Sequence, residues 1–245
     1  MSVNFENVAE TLRLNRPILI YDCDGREEET DMIMAAENIT PELVAMLRRD
    51  AGGLLCVAIK YETAQKLAVP SMIDILRAAS SKFPMLAEMT AERSPYGDRP
   101  AFSITVNHRD AYTGVTDIDR ALTIKGLAKV VRDSANGRSV EELRGEMASM
   151  FKSPGHLHLL IADRHFLSNR RGHTELSLAL LDLCGFLPIS VVCEMLDGST
   201  GRALSHAAAE KFASTHSLPF LSGADVLEAY ERSAVNRRMS LGVEV

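Results

Sequence analysis

The densest run of groups able to do chemistry is Asp22-Cys23-Asp24-Gly25-Arg26-Glu27-Glu28-Glu29-Thr30-Asp31. Carboxylates packed this closely repel one another, and a fold tolerates that where a cation or a positive substrate group compensates. Hard oxygen ligands suit Mg²⁺ better than zinc. The run lacks the alternating spacing of an EF-hand and the bidentate Glu at its twelfth position. A solvated acidic turn is the plain alternative. The apolar runs on either side argue against it, because they bury the ends of the segment.

Four further stretches carry candidate groups. Asn169-Arg170-Arg171-Gly172-His173-Thr174-Glu175 opens a predicted helix. Free amides, the helix dipole, two arginines and a threonine hydroxyl together suit a phosphate. Arg171 by itself reads equally well as an exposed arginine on a capped helix. A protonated histidine in a first helical turn is disfavoured, and ligation of a metal by the neutral imidazole removes that penalty. Ser153-Pro154-Gly155-His156 reads as a turn that delivers His156 to the start of a strand. His158 and His165 read as hydrogen-bonded structural histidines. Cys193-Glu194 ends an apolar strand, where burial raises a carboxyl pKa toward the range of a general acid or base; a structural Glu paired with an arginine is the alternative. Tyr112-Thr113-Gly114-Val115-Thr116-Asp117-Ile118-Asp119 precedes a helix. It suits an anion or a sugar hydroxyl, although capping by Thr116 and dipole pairing by Asp117 and Asp119 explain it equally well.

The elements that must hold these groups follow from apolar spacing. Phe5, Val8 and Leu12 sit at helical intervals, and Pro17–Tyr21 and Met32–Ala36 read as buried strands. Thr40-Pro41 is an N-cap with proline at N1, predicting a helix to about Arg49. Strands are predicted over Leu54–Ile59, Ala101–Val106, His156–Ile161 and Ile189–Met195. Residues 62 to 90 mix helical spacing with prolines, and 94 to 100 reads as a loop. Ser139 with Glu142 forms a capping box for a helix over 140–150. Gly185 is a natural stop for the helix that begins at Gly172. Further helices are predicted at 207–216 and 224–230. Without repeats or a long linker, the reading is a single α/β domain of α+β type over residues 1–232. It has a mixed β-sheet with surrounding helices, and residues 233–245 form a C-terminal tail.

Composition narrows the class. The 245 residues carry a net charge of −6 and 46% apolar side chains. An acidic balance argues against a general nucleic-acid binder. The N-terminus lacks a signal-peptide pattern and no apolar run reaches membrane-span length, so no membrane partner is expected. The four cysteines show no CxxC spacing, which favours reduced thiols and a cytoplasmic location.

Taken in order, the five stretches resemble 3,4-dihydroxy-2-butanone 4-phosphate synthase. The motifs are Asp-x-Asp-x-Arg-Glu-x-Glu-x-Asp, Thr-Gly-x-Thr-Asp-x-Asp-Arg, Ser-Pro-Gly-His, Arg-x-Gly-His-Thr-Glu and Cys-Glu-Met. The likeness runs from about Ile18 to Tyr230. The Glu-Thr-Asp-Met, Tyr-Thr-Gly and Ser-Pro-Gly-His forms are similar to the archaeal, monofunctional branch. Cys23 and Gly25 replace carboxylates of the commoner bacterial loop, and residues 196–201 depart from the usual Asn-Asp-Asp-Gly. The chain is also too short to hold the cyclohydrolase half fused to many relatives.

The resemblance implies a lyase of riboflavin synthesis that converts D-ribulose 5-phosphate to L-3,4-dihydroxy-2-butanone 4-phosphate and formate. It implies Mg²⁺ (or Mn²⁺) on Glu27 and His173. The substrate would be held by Arg26, Glu27, Asp31, Thr113, Arg170, Arg171, Gly172, His173, Thr174 and Glu194. His156 and Glu194 match positions essential for catalysis, and Asp22 matches an aspartate assigned acid–base work. A homodimer with active sites near the subunit contact is also implied. Two other classes remain open at this point. One is another metal-dependent sugar-phosphate isomerase or aldolase, since enolisation needs the same groups. The other is a sugar-phosphate sensor without turnover.

Overall fold

The structure is a computed structural model that describes residues 3–240. Helix α1 (Phe5–Arg13) is capped by Asn4, whose side chain accepts from the Glu6 and Asn7 amides. Strands β1 (Ile18–Tyr21) and β2 (Thr30–Ala35) follow, then α2 (Pro41–Asp50) and β3 (Cys56–Ile59). The mixed stretch after β3 resolves into three short helices, α3 (Tyr61–Leu67), α4 (Met72–Ala79) and α5 (Met85–Met89). Strand β4 (Phe102–His108) leads to α6 (Asp117–Ala135) and α7 (Val140–Met150). Then come β5 (Phe151–Ile161), α8 (His173–Leu183), β6 (Ile189–Glu194) and a two-strand ribbon, β7 (Leu196–Asp197) with β8 (Arg202–Ala203). Helix α9 (His206–Thr215), β9 (Phe220–Ser222) and α10 (Gly223–Ser240) complete the order.

Local chemistry fixes most of these boundaries as expected. Thr40, Thr116 and Ser139 each accept a backbone amide at a helix start, and Ser139 forms the full capping box with Glu142. Two expectations change. The Ser-Pro-Gly-His stretch does not precede a strand. β5 begins earlier, at Phe151, and the stretch sits inside it as a bulge against β4, where the register jumps from Val106↔Leu157 to Asn107↔Lys152. The supposed tail from Ser233 is helical to Ser240 as part of α10, and residues 241–245 lie outside the described residues. No proline or glycine follows Gly223 in α10 until Gly242, so nothing local stops the helix at Ser233.

Seven strands form one mixed sheet in the order β4-β5-β3-β6-β2-β1-β9. The β1/β9 and β3/β5 pairs are parallel and the rest antiparallel. Alternation along the strands divides the core in two. Leu19, Met32, Val57, Leu159, Val191 and Cys193 face a layer that includes Leu47 of α2 and Ile124 of α6. Ile18, Ile20, Ile33, Cys56, Ala58 and Val192 face α1, α8 and α10. Buried on both sides, the central strands need no polar face, which explains their continuous apolar runs.

Candidate active site

The functional groups gather where the α8 face of the sheet runs out of apolar residues. Asp31 on β2 pairs with Glu194 on β6, one step beyond Ile33 and Val192 on that face. Each strand thus ends its buried alternation on a carboxylate, and the N-terminus of α8 arrives above them.

Asp22 builds the loop between β1 and β2. Its Oδ2 accepts from Arg26 Nη1 at 2.9 Å and from the Glu27 amide at 3.0 Å. Its Oδ1 accepts from the Glu29 amide at 3.2 Å. The loop therefore closes on a buried carboxylate and turns Glu27 inward. Glu27 Oε2 lies 2.7 Å from Arg26 Nη1 and 3.2 Å from His173 Nδ1. Tyr96, from the loop before β4, donates its hydroxyl to Glu27 Oε1. His173 Nε2 donates to the Ile20 carbonyl at 3.1 Å, so its Nδ1 faces Glu27 and, at 3.6 Å, Asp31 Oδ1.

This acidic end fits a divalent cation. Ligand atoms of Asp22, Glu27 and His173 all lie within 4.8 Å of one another. With Nε2–H committed to Ile20, loss of the Nδ1 proton would leave a neutral imidazole whose Nδ1 lone pair points into the cluster. Asp31 Oδ1 is buried and has no hydrogen-bond partner, the state of an acceptor that lacks its ligand. Oxygen and imidazole donors together suit Mg²⁺ or Mn²⁺.

The charges in this cluster are coupled. Burial alone would raise the Glu27 carboxyl, but hydrogen bonds from His173 and Tyr96 and the Arg26 charge hold it well below the usual range. Burial alone would lower His173, but the Asp31 and Glu27 carboxylates hold it up at about 9. Burial raises both Asp31 and Glu194. The cluster therefore keeps protons at neutral pH that isolated side chains would have lost.

The other end is basic. Arg170 Nη1 meets Glu175 Oε2 at 2.5 Å, and Glu175 also accepts from the Asp163 amide at 2.8 Å. Arg26 Nη2 and Arg170 Nε are buried without hydrogen-bond partners. A Cβ on Gly172 would sit 2.3 Å from Arg26 Nη2 and 2.7 Å from Arg170 Nη1. Only glycine at this N-cap lets both guanidiniums meet over the start of α8, whose amides receive no side-chain cap. Unsatisfied cationic N–H groups beside a helix N-terminus suit a phosphate.

Between the two ends lies a cavity of about 200 Å³. Glu27, Asp31, Glu194 and His173 line one part, Arg170 and Thr174 another, and Cys56, Phe102, Leu160 and Val192 form an apolar wall. A small polar molecule with an anionic end and a metal-binding end matches this layout.

Comparison with known proteins decides the family. The family profile described as 3,4-dihydroxy-2-butanone 4-phosphate synthase matches residues 6–229. A curated 3,4-dihydroxy-2-butanone 4-phosphate synthase of Methanothermobacter thermautotrophicus is 44% identical over 93% of this chain and 96% of its own. The chain belongs to the 3,4-dihydroxy-2-butanone 4-phosphate synthase family. A synthase of the same description from Archaeoglobus fulgidus is 42% identical over 95% of this chain and 96% of its own. Among solved structures, a 3,4-dihydroxy-2-butanone 4-phosphate synthase in complex with two magnesium ions is 25% identical. It has a TM-score of 0.72 and covers 95% of this chain and 98% of that one. The synthase of Candida albicans is 29% identical with a TM-score of 0.68, covering 93% and 97%. The chain is thus an enzyme of the 3,4-dihydroxy-2-butanone 4-phosphate synthase family, as the motif order implied.

Within this synthase fold the expected site residues divide into groups. Glu27, Asp31, Arg170, His173, Thr174 and Glu194 line the cavity. Arg26 and Gly172 adjoin it through the arginine contacts. Asp22 lies beneath the loop with both oxygens engaged, which suits a positioning role better than proton transfer. Arg171 is exposed, with its Nε 3.4 Å from the Leu167 carbonyl.

Thr113 and His156 stand apart in a second cluster. Asp119 does not simply complement its helix: Oδ2 accepts from the Thr113 and Gly114 amides at 3.1 and 2.8 Å and from Thr113 Oγ1 at 3.2 Å. Gly114, at φ +89°, packs so closely on Asn107 that a Cβ would sit 2.0 Å from its Nδ2. Asn107 Oδ1 accepts from the His156 amide at 2.8 Å, and Nδ2 lies 3.1 Å from His156 Nδ1. With its Oδ1 used, Asn107 donates to Nδ1, which leaves the His156 Nε2–H outward on an exposed ring.

Sequence reasoning missed Tyr96, Asp98, Cys56 and Phe102. The first two sit in a loop bounded by Pro95 and Pro100, with no regular period to read. Cys56 and Phe102 looked like ordinary strand residues.

Proposed function

We propose that this enzyme converts D-ribulose 5-phosphate to L-3,4-dihydroxy-2-butanone 4-phosphate and formate, in riboflavin synthesis, with Mg²⁺ or Mn²⁺. The observation that carries this reading is the two-ended cavity: a Glu27–His173 acidic end and an Arg26–Arg170 basic end, on a chain of this family. The Arg26 and Arg170 N–H groups and the α8 amides anchor the phosphate. Glu27 and His173 would hold a divalent cation, which would supply Lewis-acid polarisation of the carbonyl and neighbouring hydroxyls. Glu194, half-buried with a raised pKa, takes the proton next to the ketone to give the enediol. Loss of water, skeletal rearrangement, return of water and release of one carbon as formate then conserve all the substrate's atoms. Val192, Leu160 and Phe102 give this end of the cavity an apolar wall.

The same reading includes a homodimer. Thr113 and His156 are exposed and do not line the cavity of their own chain. Tyr112, Val115 and Ile118 beside Thr113 are 95%, 53% and 68% exposed, an apolar surface suited to burial by a second copy. Docking there would bring His156 of one copy to the site of the other. The discriminating experiment is incubation with ribulose 5-phosphate, with and without EDTA, followed by formate assay. Stoichiometric formate that disappears with EDTA is expected. Substrate consumption without formate would favour an isomerase or aldolase instead.

A further inference from the structure

The loop from Arg93 to Pro100 lies outside all five motifs, yet it touches both ends of the cavity. It is internally fixed: Arg93 Nη1 donates to the Gly97 carbonyl at 2.7 Å, and the Ser94 amide to the Asp98 carbonyl at 2.7 Å. Its Asp98 carboxylate takes Arg26 Nε at 3.0 Å and stands 3.9 Å from Arg170 Nε. These two guanidiniums reach the site from different places, Arg26 from the acidic loop and Arg170 from the turn before α8. Arg26 spends Nη1 on Asp22 and Glu27, and Arg170 spends Nη1 on Glu175. Among the described residues, Asp98 is the further carboxylate that holds Arg26. The Arg26 guanidinium also lies over the Tyr96 ring, 4.8 Å from its centroid, while the Tyr96 hydroxyl holds Glu27.

We propose that Asp98 is a positioning residue of this enzyme: it sets Arg26 against Arg170 so that their unsatisfied N–H groups converge on the phosphate of the substrate. The proposal rests on the phosphate-anchor reading above. The physical reason is geometric. A guanidinium is a planar fork, and one fixed nitrogen leaves it free to pivot, whereas two fix its plane. Asp98 supplies the second point for Arg26 at Nε. Its oxygen also stands 3.9 Å from Arg170 Nε without hydrogen-bonding to it, so the same carboxylate lies beside both forks. Asp98 does not line the cavity, so it acts through the arginines rather than on the reacting atoms.

Asp98→Asn keeps size and removes the charge. It should raise KM for ribulose 5-phosphate and the Kd for inorganic phosphate in parallel, each about tenfold. The turnover number should stay within about threefold, because Glu194, Glu27 and His173 are untouched. Asp98→Glu should recover part of the loss. In an Arg26→Lys background, Asp98→Asn should have little further effect, since the fork it orients is gone. A KM and phosphate Kd within twofold of the parent would overturn the proposal. So would a loss in kcat at unchanged KM, or full additivity with Arg26→Lys. If the parent enzyme turns over substrate but binds no inorganic phosphate by calorimetry, the anchor reading itself fails. If Asp98→Asn does not fold, the Glu variant carries the same KM-against-kcat comparison.

Discussion

His173 holds two hydrogen bonds and a charge, and a metal at Nδ1 must displace the bond to Glu27 and the charge. Its Nε2 is tied to the Ile20 carbonyl, and its Nδ1 faces Glu27 and Asp31. Burial opposes its protonation, but those carboxylates raise its pKa to about 9. The sign follows: stability from the charged form is full below the unfolded value near 6.5 and is lost as pH rises through about 9. A cation bound at Nδ1 requires the neutral ring. Binding of Mg²⁺ or Mn²⁺ at about pH 7.5 should therefore release about one proton. Calorimetry in buffers of different ionisation enthalpy measures this, and zero release would count against His173 as a ligand. Glu194 separates chemistry from binding in the same way. Glu194→Gln should lower turnover by roughly 10²-fold or more while leaving phosphate binding near normal, because the arginine clamp is elsewhere. An equal loss of both would make Glu194 a substrate clamp or a structural group.

At the scale of elements, the site depends on two close approaches. Register places Asp31 and Glu194 on the α8 face, and a slip of one residue in either strand would turn its carboxylate to the other face. The α8 N-terminus depends on Gly172. An added Cβ there meets guanidinium atoms, the far ends of flexible side chains. Gly172→Ala should thus cost the fold little, within about 1 kcal/mol, yet force the arginines apart. The expected result is a KM increase of about tenfold with a nearly unchanged Tm. A large loss of Tm would show that the glycine serves the helix start instead. Gly155 contrasts with it: a Cβ there would meet the Val106 carbonyl carbon at 2.0 Å, so β4 itself would have to move. That contact explains why the bulge carrying His156 contains a glycine.

For the whole molecule, the cavity and the Thr113–His156 cluster are separate features of one chain, and the proposed homodimer joins them. This reading makes a complementation prediction. Glu27→Ala and His156→Ala chains should each be inactive as homodimers. Mixed in equal amounts and allowed to exchange, they should recover about a quarter of the parent activity. Half of the dimers are then mixed, and each holds one intact site. Formate release after exchange is the measurement. Heterodimers without activity would place His156 in its own chain's site. Among the described residues no helix is long and apolar enough to cross a membrane. The negative total charge coexists with a local arginine pair, so on the proposed reading a phosphate meets a positive end of the cavity on an acidic protein.

The sequence by itself determined the family, the helix caps, the buried strands and the polar stretches that line the cavity. Each of these depends on neighbours a few residues away: a Ser with a Glu three positions on, an apolar run, a glycine before a histidine. The tertiary structure decided what local pattern cannot carry. It turned Asp22 into the buried anchor of its own loop and gave Asp119 to the amides of residues 112–114. It moved Thr113 and His156 away from the cavity. It also brought Tyr96 and Asp98 to Glu27 and Arg26 across some seventy residues of chain. Such contacts belong to no sequence period. They arise from sheet order and from where a proline-bounded loop packs, and these are fixed only once the whole core has formed.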